Sequence, residues 1–141
     1  MKKKFRTAVR KIKQCYFHLK KNPYAHKTEV EGFYSDQPCI IRGGLGKGLP
    51  KFLQDQIWFN GDESKGHDHE TFYLKWNKKD EDGEDLWGFC KTARKPYDLL
   101  VCMSLLALEN AFQDPKVFSY SSDGDEPEWQ RAKDLYAEIM G

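Results

Sequence analysis

The sequence predicts a single α+β domain over residues 1–141, with a mostly antiparallel sheet of about five or six strands and N-terminal, central and C-terminal helices. Three observations lead there. Apolar residues recur at helical spacing at both ends of the chain, short β-branched and aromatic stretches alternate with glycine-rich turns between them, and one long apolar run lies past the middle. With 141 residues, 39% hydrophobic and 32% charged, the chain has material for one core under a densely charged surface.

Residues 1–22 read as a basic amphipathic helix. Phe5, Ala8, Val9, Ile12, Tyr16 and Leu19 fall at steps of three and four, a narrow arc of one helix, and Pro23 stops it after Asn22. Residues 28–90 read mainly as strands, at 29–34, 39–42, 56–60, 71–76 and 86–90. They are joined by GGLGKGLP at 43–50, by NGDESKG at 60–66 and by a solvated acidic loop at 77–85. The Asn60-Gly61 pair predicts a tight hairpin turn between antiparallel neighbours. Residues 96–141 read as helix, strand, helix. Pro96 suits the first turn of a helix whose body, 99–112, is apolar on nearly every side and belongs in the core. Asp114-Pro115 ends it, a strand follows at 117–120, and a last helix carries Trp129, Ala132, Leu135, Tyr136 and Ile139 on one face. Asp125 and Glu128 have the spacing of a capping box at its start.

Several classes are excluded by the same reading. The longest apolar run, 99–108, contains Ser104 and has about half the length of a bilayer-crossing helix. Cys15, Cys39, Cys90 and Cys102 form no CxxC pair, which fits reduced thiols in a cytoplasm better than a disulfide framework or a zinc site. Nothing at the N-terminus has the make-up of an export signal, and no cofactor is expected.

Charge placement says more than the net charge of +1. Residues 1–28 hold ten basic residues and no acid, so the remainder carries a net −9. Such an arm either reaches out to phosphates or folds back onto the acidic body.

Taken together, CKTARKPYD (90–98) and SSDGDEPEW (121–129), with FNGD (59–62) and HETF (69–72), resemble a group of small proteins of tailed bacteriophages. The resemblance runs from residue 43 to the C-terminus and leaves out the basic helix. It implies a phage or prophage origin and action in the host cytoplasm, and it brings no activity with it.

The first expectation is a binding or accessory protein rather than an enzyme. Lys2, Lys3, Lys4, Arg6, Arg10, Lys11, Lys13, Lys20 and Lys21, interleaved with Phe5, Tyr16 and Phe17, have the make-up of a surface for nucleic acid or an acidic protein partner. The first alternative is a small anionic ligand, nucleotide-like, held by Gly44, Gly46, Lys47 and Gly48 together with Arg94, Lys95 and Tyr97. The glycine loop lacks the GxxxxGK[ST] spacing, because Gly48 follows Lys47. The second alternative is a metal-dependent phosphodiesterase. His67 and His69, two apart, would share one face of a strand, with Asp62 or Glu63 adding oxygen ligands. A thiol nucleophile at Cys90, beside Lys91 and Arg94, is a further arrangement that the sequence permits.

Overall fold

The computed structural model describes residues 2–24, 37–76, 86–88, 95–114, 118–120 and 126–141. It is an α+β protein with three α-helices, α1 (Lys2–Lys21), α2 (Asp98–Phe112) and α3 (Glu126–Met140). The strands are β1 (Lys51–Leu53), β2 (Gln56–Phe59), β3 (Phe72–Lys75), β4 (Leu86–Gly88) and β5 (Phe118–Tyr120). The expected strand at 29–34, Cys90, Arg94 and Asp125 of the capping box lie outside the described residues.

Helix α2 is the centre of the core. Residues 99–108 are all buried, so even Ser104 turns inward and donates its hydroxyl to the Leu100 carbonyl at 2.7 Å. The helix begins at Asp98 rather than at Pro96, which sits in the preceding turn where Asp98 N–H donates to the Lys95 carbonyl. It ends on Gln113, whose left-handed backbone lets its N–H donate to the Glu109 carbonyl. Helix α1 packs chiefly against α2, burying Phe5, Ala8, Val9, Ile12, Cys15 and Leu19. Helix α3 adds Ala132, Leu135 and Tyr136.

The expected single sheet is corrected. Among the described residues there are two sheets, a three-stranded antiparallel one in the order β1-β2-β3 and a two-stranded parallel one of β4 and β5. The parallel pair follows from its connection, since α2 lies between β4 and β5 in the chain and a helical crossover brings the second strand back in the same direction. The expected strand at 39–42 shrinks to an isolated bridge between Arg42 and Asn60. After Arg42 the glycine loop swings away, and the chain rejoins β2 at Lys51, which pairs with Trp58.

The tight turn is also elsewhere than expected. β1 and β2 are joined through Gln54 and Asp55, with Leu53 opposite Gln56. Strands β2 and β3 are antiparallel neighbours as expected, but the connection between them is long and Asn60 works as a buried anchor inside it. Its side-chain amide donates to the carbonyl of His69 and to Thr71 Oγ1, and its Oδ1 accepts from Gly61 N and His69 N. A buried amide with both ends satisfied holds the loop without a strained turn.

Strand alternation sorts the sheet into two faces. Phe52, Ile57, Phe59, Phe72 and Leu74 point to the core, where Phe59 lies 5.9 Å from Phe52 and 5.1 Å from Phe72 between ring centroids. Phe52 in turn meets Tyr16 of α1 at 5.0 Å, which docks the helix on the β1 side of the sheet. Lys51, Leu53, Gln56, Trp58, Tyr73 and Lys75 occupy the other face.

Candidate nucleic-acid interface

The outward side of α1 is set by the same periodicity that buries its inward side. Lys3, Arg6, Arg10, Lys13, Phe17 and Lys20 follow one another at steps of three and four, so they form a row along the helix. The row is about 25 Å long at 1.5 Å rise per residue. Lys3, Lys4, Arg6, Arg10, Lys13, Lys20 and Lys21 are exposed and Lys11 is half-buried; Lys2 opens the helix. Phe17, in the middle of these cations, is 47% exposed.

Local contacts order part of this row. Thr7 Oγ1 donates to the Lys3 carbonyl at 2.9 Å and accepts from Arg10 Nη2 at 3.4 Å. The Lys13 ammonium lies 6.0 Å from the centre of the Phe17 ring. Among the described residues the ion pair is Arg42 to Asp62, at 3.9 Å, and no cation of α1 enters one.

Helix electrostatics disfavour the N-terminal part of this arrangement and favour its end, where His18, Lys20 and Lys21 occupy the last turn. The first turn has no acidic residue and begins with three lysines at the positive end of the macrodipole. Arg6 and Arg10 stand four apart, where like charges cost about 0.2–0.5 kcal/mol. Burial of the apolar side against α2 is what stabilises the helix.

The glycine loop is a packing device. Gly43 N donates to Gly48 O, Gly46 N to Gly43 O, Lys47 N to Gly44 O, and Leu45 N to Thr71 Oγ1, so these amides are engaged within the protein. Gly43 and Gly44 lie against the Trp58 indole, where a Cβ on Gly44 would overlap the ring. Lys47 and Gly48 are exposed. Lys95 and Tyr97 of the anion set are engaged in hydrogen bonds of their own. Lys95 Nζ donates to the Gly66 carbonyl at 2.8 Å, and the fully buried Tyr97 donates its hydroxyl to the Glu70 carbonyl at 2.6 Å.

His67 and His69 lie in the connection before β3 rather than on a strand, with His67 buried and His69 exposed, so they do not share a face. Among the described residues no three of His, Cys, Asp and Glu are grouped to hold a metal ion. Burial lowers the pKa of His67 below its ordinary 6.5, the Lys95 and Lys65 charges lower it further, and Asp62 opposes them. Asp62 is itself buried and accepts from Ser64 N and Ser64 Oγ, the mark of a loop organiser. Burial pushes the thiols of Cys15 and Cys39 up to about 12, which removes the thiolate that nucleophilic chemistry requires.

One surface was missed by pattern reading. The aromatic and basic outer face of the β1-β2-β3 sheet depends on β1, a three-residue strand with no turn signal stronger than Gln54-Asp55. Its clue was the alternation of Gln56, Trp58 and of Tyr73, Lys75 with apolar neighbours. No helix among the described residues is long and apolar enough to cross a membrane. Comparison with family models, with curated proteins and with solved structures gives no match.

Proposed function

We propose that this protein is a non-catalytic binding protein that engages a polyanion, nucleic acid above all, through the outward face of α1. The carrying observation is that Lys3, Arg6 and Arg10 of this row oppose the helix's own electrostatics while its apolar side is already buried against α2. Residues that lower the stability of the element they sit on point to a use outside the fold. Duplex nucleic acid presents one charge per about 1.7 Å of axis, so a row of cations this long meets several phosphates at once. Phe17 beside Lys13 adds a ring on which a base can stack, which favours nucleic acid over an acidic protein.

The test is binding of labelled duplex and single-stranded DNA by anisotropy across a salt series. Contact with roughly five phosphates gives a slope of log K against log salt near −4.5 for duplex. Arg6→Ala with Arg10→Ala makes that slope shallower by about 1.8 and leaves the fold intact. A chain that binds neither form at low salt, or a double variant with an unchanged slope, refutes the reading.

A further inference from the structure

We infer that the outer face of the β1-β2-β3 sheet is a second contact surface, a stacking platform for the bases of single-stranded nucleic acid. It rests on the nucleic-acid reading above for the class of ligand, and on different residues for everything else. Trp58 of β2 and Tyr73 of β3 are direct cross-strand partners, so both side chains leave the sheet on this face. Tyr73 is 51% exposed, well above what a residue on a covered face shows. Two aromatic residues on one face of neighbouring strands, Trp58 half-buried under the glycine loop and Tyr73 exposed, are suited to receive successive bases, since every base has a π-face.

The charges on the face are complementary to a nucleic-acid backbone. Lys51, directly opposite Trp58, holds its ammonium 4.9 Å over the indole, and Lys75 follows Tyr73 on the same side of β3. The strand positions on this face are Lys51, Leu53, Gln56, Trp58, Tyr73 and Lys75, with no carboxylate among them. Lys51 thus occupies the ring as a cation, a contact it can give up to a base while turning to the adjoining phosphate.

The glycine loop makes the platform rigid. Gly43 and Gly44 back the indole at a distance that no side chain allows, so Trp58 is held in place before any ligand arrives. On the same loop Leu45 is kept at φ 61°, a left-handed backbone that a leucine rarely adopts, with its side chain 78% exposed. Its N–H donates to Thr71 Oγ1, two residues before Tyr73, so the strained leucine borders the aromatic pair. An exposed leucine held in a strained backbone at the rim of an aromatic face is suited to touch a sugar or a base edge.

The experiment uses fluorescein-labelled dT12 and a duplex of equal length against the full chain, Tyr73→Ala, Tyr73→Phe, Lys75→Ala, and the Arg6→Ala/Arg10→Ala double variant. Tyr73→Ala is expected to weaken dT12 binding about 5- to 150-fold with its salt slope unchanged, to leave duplex binding as it was, and to be rescued by Tyr73→Phe. Lys75→Ala, at an exposed position, makes the dT12 slope shallower by about 0.7 and covers the case in which Tyr73→Ala does not fold. Folded Tyr73→Ala that binds dT12 within twofold of the full chain overturns the platform, as does an unchanged slope for Lys75→Ala. If the α1 double variant is silent while Tyr73→Ala weakens dT12, the platform stands and the α1 reading falls. If the full chain binds neither probe at low salt, both fall.

Discussion

His67 is the residue whose chemistry the fold changes most plainly among the histidines. Its pKa lies below 6.5 in the folded protein because burial, and then Lys95 and Lys65, disfavour the imidazolium. The unfolded chain takes up this proton near 6.5 and the folded chain only at lower pH, so between those values the unfolded state holds more protons. The stabilising contribution is therefore complete above pH 6.5 and is lost as pH falls below it, by at most about 1.4 kcal/mol per pH unit. Urea unfolding between pH 7.5 and 5 is expected to show this decline, and His67→Gln to flatten it. Gly61 is a second sensitive residue, because a Cβ there would collide with the His67 carbonyl and come within 2.8 Å of the Tyr97 ring. Backbone and a fully buried ring leave no room to yield, so Gly61→Ala is expected to cost more than about 2 kcal/mol, read as a lowered urea midpoint. The thiols of Cys15, Cys39 and Cys102 are all buried. They are expected to react with a thiol reagent only after denaturant is added.

At the scale of elements, α1 separates the residues that hold it from the residues it displays. Ile12 is fully buried, so Ile12→Ala is expected to cost about 2–5 kcal/mol, whereas Arg10→Ala at an exposed site stays within about 0.5 kcal/mol. Thermal unfolding of the two variants, set beside their DNA affinity, distinguishes a structural residue from a binding one. The helices were legible because their signals are long. Phe5 to Leu19 repeats over several turns, and the burial of α2 on every side follows from an apolar run without a polar face. The strands are three or four residues long, too short for alternation to fix their number or pairing. Asn60-Gly61 has the composition of a hairpin turn, yet the Asn60 side chain finds better use as a buried anchor. Of the candidate site, the cations were legible as composition. Their side of the helix was legible too, from the narrow arc of Phe5, Ala8, Val9, Ile12, Tyr16 and Leu19, whereas the helix against which that arc packs was not. The platform of Trp58 and Tyr73 needed the register of β1, β2 and β3, a fact held in pairing rather than in any stretch of residues.

For the whole molecule, charge is segregated along the chain, +10 in residues 1–28 against −9 elsewhere, with almost no net charge. Low salt favours self-association of such a molecule, one copy's basic face against another's acidic body, and added salt disperses it within a Debye length of about 8–10 Å. Light scattering at low and at physiological salt is expected to show that reversal, and the Arg6→Ala/Arg10→Ala variant to weaken it. The pairing of α1 with α2 has a consequence for the order in which the protein is made. Lys21 ends α1 and Asp98 starts α2, so at about 5–20 residues per second the ribosome needs roughly 4 to 15 s to deliver the partner of a helix it has already finished. Throughout that interval the stripe from Phe5 to Leu19 lacks its main partner. The lysines and arginines around it then act as gatekeepers, holding apart growing chains whose apolar stripes would otherwise meet before the fold can hide them.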